Sequence, residues 1–371
     1  MGGAEFEASA VRLLVLATVD VVARDTVVGG WIFDDDSVMV LQYDDVRLDP
    51  ALRMTRRLIG SSGVVYADEL DGGECACCRL RDDLIATLQH LADQDNWQRI
   101  VVSTPVGAPV AQVATQIAEA IADGSLTGTV LTSVVTAVDR QRAADDLFGD
   151  DLLADRGLAM SRHDRRAVGE AFGEHLDYAD LVIGIGGPAD PGDAALRHLA
   201  GCRYRADWTM MSVSELFDAR HDVVAAGRRT DLLQVELADS VPHDTTAWSL
   251  DLHVTAPVHP GRLMERLEDL ALGRFRSRGY LWLPNRPDTP CAWDGGGGQL
   301  SIGSLPGWDE QTPASRLIVT GVEPGERDRV RATFADVLCT PEEIAKGRWL
   351  DDDLAPWLGP VPQHERSERP V

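Results

Sequence analysis

Short apolar runs alternate with amphipathic stretches over the first two-thirds of the chain. This alternation is typical of an α/β domain with a mostly parallel sheet. The apolar runs predict five strands, at 11–19, 37–43, 98–103, 129–138 and 180–185. The amphipathic stretches predict helices at 79–93, 108–123, 165–178 and 191–200. In the first of these helices leucines recur at helical spacing, which predicts a face packed on the sheet; they are Leu80, Leu84, Leu88 and Leu91.

The pattern changes after a polar stretch at 236–246. Beyond it the sequence predicts strands at 248–255, 277–284 and 315–322, helices at 260–272 and 325–338, and a hairpin around the glycine run 295–298. That order favours a small α+β domain with helices on one face of an antiparallel sheet. We therefore predict domains at 1–235 and 247–355, joined by a linker at 236–246 and followed by a frayed tail at 356–371.

Charge and hydropathy exclude several classes of protein. The net charge of −25 argues against DNA binding and against any broad surface that would bind nucleic-acid phosphates. No apolar run reaches the ~20 residues that span a membrane. The longest early run, 11–23, contains Asp20 and lacks the basic flank of a signal peptide, so we predict a buried strand and a cytoplasmic protein. Lys346 is the only lysine in the chain.

Half of the six cysteines lie within four residues, at Cys75, Cys77 and Cys78. In a reducing compartment such a cluster favours a metal site over a disulfide framework. Zn²⁺ usually takes four ligands, so three thiolates leave one position open. Nearby carboxylates and an imidazole could fill it, and the sequence does not select among Glu69, Glu74 and His90. The alternative is three small cysteines buried against the sheet; we predict a Zn²⁺ site.

The segment "ECACC" followed by "RLRDDL" resembles the Gly-Cys-x-Cys-Cys signature and the next helix of the CobW-type metallochaperone GTPases. The second domain is similar to the CobW C-terminal domain in three stretches that fall in the family order, "APVHPGRLMERLE", "RSRGYLWLPNRPDTPCAWDGGGGQLSI" and "LIVTGVEPGERDRVRATFADVLCTPEE". The resemblance covers roughly 60–350. It implies a P-loop-GTPase-like first domain of the CobW/HypB/UreG kind, with zinc and GTP as family ligands.

The first domain departs from the family at both nucleotide motifs. The family's Gly-x-x-Gly-x-Gly-Lys-Thr loop cradles phosphates with backbone amides, a lysine and a hydroxyl that holds Mg²⁺. Residues 17–28 contain no glycine and no lysine, and Asp20 and Asp25 would repel a triphosphate. The guanine-reading Asn-Lys-x-Asp is replaced by "GIGGPAD" at 184–190. We therefore predict a degenerate GTPase domain, without catalytic residues, that does not bind GTP with Mg²⁺.

The resemblance leaves two functions open. Within the family, the chain resembles actinobacterial members that recruit a ribosome hibernation factor to the small ribosomal subunit when zinc is scarce. The leading hypothesis is such a zinc-responsive, non-catalytic adaptor, with the ribosome and a hibernation-promoting factor as partners. The alternative is a GTP-binding zinc metallochaperone that delivers metal to a client protein. The missing lysine favours the adaptor.

Two other segments could bind ligands. The loop 184–192 could hold an anion at the start of the next helix, although a tight turn is the simpler interpretation. In "RFRSRGYLWL", strand alternation could place Arg274, Arg276 and Arg278 on one face and Phe275, Tyr280 and Trp282 on the other, as in an rRNA contact. An ordinary sheet with solvated arginines is favoured over that contact.

Overall fold

The computed structural model describes residues 10–45, 53–70, 76–94, 96–239, 246–308, 311–347 and 354–359. The chain divides into two compact units, one comprising Met1–Asp231 with Ala238–Thr246 and the other comprising Leu232–Leu237 with Ala247–Val371. Much of the predicted linker and tail lies outside the described residues, so these two assignments stay predictions.

The first unit contains an eight-stranded, mostly parallel sheet. Its strands are β1 (Val11–Ala17), β2 (Val38–Asp45), β3 (Met54–Gly60), β4 (Gly63–Leu70), β5 (Arg99–Ser103), β6 (Thr129–Asp139), β7 (Leu181–Ile185) and β8 (Tyr204–Arg205). Their order is β4-β3-β2-β5-β1-β6-β7-β8, and only the pairings of β3 with β2 and β4 are antiparallel. All five predicted strands and the α/β fold class are confirmed.

Eight α-helices accompany this sheet within the described residues. They are α1 (Val21–Asp34), α2 (Ala76–Asp93), α3 (Val110–Asp123), α4 (Ala143–Phe148), α5 (Val168–Tyr178), α6 (Gly192–Ala200), α7 (Val213–Phe217) and α8 (Val223–Thr230). The four predicted helices correspond to α2, α3, α5 and α6. The predicted leucine face of α2 is buried. The sequence analysis missed α1 and the antiparallel hairpin β3–β4.

Helices cover both faces of the sheet because the inner strands are apolar on both sides. In β1, Leu13 and Val15 pack with the buried faces of α2 and α3. Leu14 and Leu16 point the other way and pack with Val27 and Trp31 of α1, among others. This two-sided burial explains why the central strands read as continuous apolar runs.

The second unit is built on a five-stranded antiparallel sheet in the order β12-β11-β10-β13-β9. Its strands are β9 (Trp248–Val254), β10 (Phe275–Leu281), β11 (Cys291–Gly296), β12 (Gln299–Ser304) and β13 (Ser315–Gly321). The helices are α9 (Pro260–Glu265), α10 (Leu267–Ala271), α11 (Pro324–Val337), α12 (Pro341–Lys346) and α13 (Ala355–Leu358). The small antiparallel domain is confirmed; the single helix predicted at 260–272 is two short helices that meet at Arg266.

Among the described residues, no helix combines the length and the apolar character that crossing a membrane requires. The prediction of a cytoplasmic protein is not tested further.

The carboxylate of Glu174 on α5 caps the N-terminal end of α3. The two Glu174 oxygens accept hydrogen bonds from the amides of Ala111, at 2.9 Å, and Val110, at 3.3 Å. Burial raises the pKa of Glu174 to about 7, although these amide bonds act to lower it. The neighbouring His175 is fully buried, lies 2.7 Å from the Ala108 carbonyl through Nε2, and has its pKa lowered to about 4 by burial.

We predict that replacing Glu174 flattens the pH dependence of stability between about pH 4.5 and about 7. Because the folded-state pKa of Glu174 is raised, its contribution to stability is complete below about pH 4.5 and is lost as the pH rises through about 7. The free energy of unfolding of Glu174→Gln, measured by urea titration, should therefore fall less between about pH 5 and about pH 8 than that of the wild type.

The matched control is Glu119→Gln, which removes the same charge from an exposed position of α3. That variant should follow the wild-type profile. If Glu174→Gln also followed it, the raised pKa of Glu174 would be wrong. The pH dependence of the stability contributed by His175 has the opposite sign. Because its pKa is lowered, His175 contributes stability above about pH 6.5, and this contribution is lost as the pH falls through about 4.

Candidate functional site

The carboxyl ends of the parallel strands meet at one edge of the first sheet, where α/β proteins usually bind ligands. Three loops lie at this edge: Thr18–Asp20 after β1, 104–109 after β5, and 186–191 after β7. The first two touch directly, because the Gly107 amide donates to the Thr18 carbonyl at 2.9 Å.

The loop between β1 and α1 is short and closed by its own carboxylate. Only Thr18, Val19 and Asp20 separate the strand from the helix. Asp20 is the N-cap of α1 and accepts a hydrogen bond from the Ala23 amide at 2.8 Å. A helix N-terminus attracts anions through its free amides and its dipole. Here a fixed negative charge already occupies that position.

Cations near this loop are engaged by acidic side chains. Arg24 on α1 is buried and pairs with Asp25 and Asp44. The guanidinium of Arg142 lies 4.0 Å from the Asp20 carboxylate and 3.8 Å from that of Asp146. These pairings satisfy the positive charge that a triphosphate would need.

The loop after β7 is filled by a buried ion pair. Arg140 donates to both carboxylate oxygens of Asp193, at 2.7 Å and 2.5 Å, and to the Gly186 carbonyl at 3.1 Å. Asp193 also accepts from the Ala189 amide at 3.1 Å. A Cβ on Gly184 would lie 2.9 Å from the Arg140 side chain, so glycine permits this close approach. The geometry favours the tight-turn interpretation over an anion site. Sequence reasoning missed Arg140, which lies 46 residues before Gly186, the loop's first glycine.

The structure places two of the three predicted zinc ligands. Cys75 lies outside the described residues, and so does Glu74. Cys77 and Cys78 lie in the first turn of α2, the former half-buried against the apolar core and the latter exposed. The alternative of three buried cysteines is therefore wrong for Cys78. The turn is anchored by the Ala76 amide, which donates to the Met160 carbonyl at 2.8 Å.

Of the candidate fourth ligands, His90 is excluded by its position. His90 is in the last turn of α2, twelve residues after Cys78. At 1.5 Å per residue it lies roughly 18 Å along the helix, too far to share an ion with the first turn. Glu69 forms an ion pair with Arg53 at 2.9 Å. Within the described part of the chain no three His, Cys, Asp or Glu side chains form a metal-binding group.

The proposed arginine face of β10 is wrong. Arg276 is only 5% exposed, and the Arg278 side chain is 11% exposed. Both lie near Asp294, at 3.8 Å and 3.6 Å. Because residues two apart share a face, Tyr280 lies on the arginine side of the strand, where it packs edge-on against Trp308. Arg276 and Arg278 are therefore neither an RNA-contacting surface nor the solvated arginines that the sequence favoured, whereas Arg274 is 39% exposed and lies 3.9 Å from Glu323.

Comparison with known proteins matches both units to described families. Residues 51–184 match the CobW/HypB/UreG nucleotide-binding domain, and residues 247–338 match the cobalamin synthesis protein CobW C-terminal domain. The first match begins after β1 and α1, so it does not include the Thr18–Asp20 loop.

Two curated relatives are 30% identical over 298 residues, which is 77% of this chain and 70% of each relative. One is named "Zinc chaperone Rv0106" from Mycobacterium tuberculosis, and the other is an uncharacterized protein of Mycobacterium bovis. Among solved structures, the Zn(II)-bound YjiA GTPase from E. coli is 15% identical and covers 88% of this chain and 99% of its own, with a TM-score of 0.35. That score supports no further argument.

Proposed function

Because the chain belongs to the CobW family, we propose that it is a zinc metallochaperone that binds Zn²⁺ at Cys75, Cys77 and Cys78 and passes it to a client protein. The observation that carries the proposal is the thiol pair at the start of α2, within a chain related to a protein named as a zinc chaperone. One of the two curated relatives is named as a zinc chaperone. That name favours the metallochaperone over the adaptor.

The position of the thiols suits zinc as cargo. Cysteines at i, i+2 and i+3 on a turn that enters a helix can converge on one soft ion. Cys78 is exposed, so a ligand from a client protein can approach the ion from solvent. An incomplete protein ligand set leaves a coordination position for that incoming ligand. Transfer then proceeds by ligand exchange.

We also propose that this chaperone works without a triphosphate at the β1–α1 loop. The Asp20 carboxylate occupies the start of α1, and the loop is too short to wrap a phosphate. Two unit charges 4 Å apart interact by about 4 kcal/mol near a protein surface, which here would be repulsion. The family's P-loop lysine, which offsets such repulsion, is absent.

We predict stoichiometric zinc binding that depends on the cysteine cluster. Replacing any two of Cys75, Cys77 and Cys78 with serine should abolish binding, measured by competition with a chromophoric chelator. Affinity should fall as the pH is lowered, because protons compete for the thiolates. The fold should change little, since a core of this size does not depend on one metal.

The matched control is Cys202→Ser, which removes an exposed cysteine outside the cluster. It should leave zinc affinity unchanged. A triple serine variant at positions 75, 77 and 78 that kept stoichiometric, tight zinc binding would place the site elsewhere.

For GTP with Mg²⁺ we predict no hydrolysis and a Kd no tighter than about 1 mM, because the phosphate-binding loop supplies most of the electrostatic stabilisation in this class. Isothermal titration calorimetry of the zinc-free and zinc-loaded protein measures this. A micromolar Kd would contradict this proposal and favour the GTP-dependent metallochaperone that the family resemblance implies.

A second candidate function is the adaptor that recruits a hibernation factor to the ribosome, as in the actinobacterial protein Mrf. The closed β1–α1 loop supports this candidate too, since an adaptor needs no nucleotide cycle. Its partners would be the small ribosomal subunit and a hibernation-promoting factor.

Sucrose-gradient sedimentation of extracts from zinc-starved and zinc-replete cells separates the two functions. A metallochaperone is expected in the free fractions at both zinc levels. Co-sedimentation with the small subunit in low zinc, reversed when zinc is restored, would support the adaptor and contradict the lead proposal.

A further inference from the structure

The first turn of α2 is held by a backbone hydrogen bond in the middle of the cysteine cluster. Ala76 stands between Cys75 and Cys77 in the sequence and is fully buried. Its amide donates to the Met160 carbonyl at 2.8 Å. The first amides of a helix have no acceptor within the helix, so this bond fixes the backbone from which the neighbouring thiols project. The geometry of the cluster therefore depends on what holds Met160.

Met160 is held at both its side chain and its backbone. Its side chain is 3% exposed and belongs to the same buried apolar cluster as Ala76 and Leu80. Its amide donates to the Asp164 carboxylate at 3.0 Å. One residue thus receives the Ala76 amide through its carbonyl and is anchored to a carboxylate through its own amide. Asp164 is in this way connected to the cysteine turn by two consecutive hydrogen bonds.

The Asp164 carboxylate is itself fixed by Arg166. The guanidinium donates to both carboxylate oxygens, from Nε at 3.0 Å and from Nη2 at 2.8 Å. Burial acts to raise the pKa of Asp164, but the hydrogen bonds from Arg166 and from the Met160 amide hold it below its ordinary value. The group is therefore a carboxylate at neutral pH. A two-point arginine pair fixes orientation as well as charge.

On the basis of the proposed zinc function, we propose that Asp164 is a positioning residue of the zinc site. Through Met160 and Ala76 it sets the cysteine turn in the conformation that binds the ion. Asp164 does so without touching the ion, since its oxygens are engaged by Arg166 and Met160. A turn that is ordered in advance loses less conformational freedom when the ion binds. Groups that orient metal ligands contribute roughly ten- to hundredfold to metal affinity.

The chain contains a matched control for Asp164. Asp193 also accepts from the amide four residues before it, that of Ala189 at 3.1 Å, and from both arms of an arginine, Arg140. It is equally buried, at 3% exposure. Its third partner, Tyr204, lies on β8, so these contacts do not lead to α2. Replacing Asp193 therefore removes the same kind of buried ion pair without affecting the cysteine turn.

Zinc affinity of the full chain, measured by competition with a chromophoric chelator, is the first test. Asp164→Ala should weaken binding about tenfold, and Asp193→Ala should bind zinc as the wild type does. Asp164→Asn should lose less than Asp164→Ala, because it keeps an acceptor for the Met160 amide; it also serves if the alanine variant does not fold. The cobalt(II) spectrum at saturation should be the same in all variants, since no ligand is removed. A changed spectrum in Asp164→Asn would make Asp164 a ligand and overturn the inference.

Amide hydrogen exchange of the metal-free protein, followed by NMR, is a second test that does not depend on zinc. Asp164→Ala should accelerate exchange of the Ala76 amide about tenfold, whereas Asp193→Ala should not. If the wild type bound no zinc, the proposed function would be wrong, and exchange at Ala76 would still decide whether Asp164 holds the turn. Unchanged exchange, unchanged zinc affinity in Asp164→Ala, or an equal loss in Asp193→Ala would each contradict a positioning role.

Discussion

The hydrogen bond from the Ala23 amide to the Asp20 carboxylate fixes the start of α1 at the carboxyl edge of the first sheet. It caps α1 three residues after the end of β1, and it satisfies the Ala23 amide, one of the helix amides that would otherwise attract an anion. The Thr18 carbonyl beside it is held by Gly107, so the loops after β1 and β5 brace each other. After β7 the Arg140–Asp193 pair plays a similar part. Side chains of the chain itself thus occupy the start of α1 and the loop after β7 at this edge of the sheet.

The parallel core was predictable because burial on both faces leaves an unbroken apolar run. The helix α1 was not, since valines and two adjacent glycines disfavour a helix by propensity. Tertiary packing overrides that propensity: Ala23, Val27 and Trp31 recur every four residues and are buried against the sheet. That spacing, with Asp20 just before it, was the missed signal. The hairpin β3–β4 was missed for a different reason, because nearly all of β4 is exposed and shows no alternation.

Some residues of the candidate site could be predicted from the sequence, and others could not. Three cysteines in four residues could be recognised from sequence because the spacing itself is the signal. The fourth ligand could not be selected, since a helix carries His90 away from a cluster that is close in sequence. The burial of the arginines of β10 could not be predicted from alternation along that strand alone. Arg276 and Arg278 lie near Asp294 of the neighbouring strand β11, and the sequence of an isolated strand does not identify its neighbours.

Zinc transfer would have to be driven differently if no triphosphate binds at the carboxyl edge of the first sheet. A conformational change needs a ligand that binds its two states with different free energies. If a triphosphate does not bind, another ligand has to supply that difference, and zinc is such a ligand. The contacts give it a route, because the first turn of α2 is bonded to Met160 through Ala76, next to Cys77. From Met160 the chain runs back to Leu153, whose side chain packs over Gly107, which holds Thr18. Zinc bound at the first turn of α2 would thus be joined to the braced loops by a series of contacts through Met160, Leu153 and Gly107.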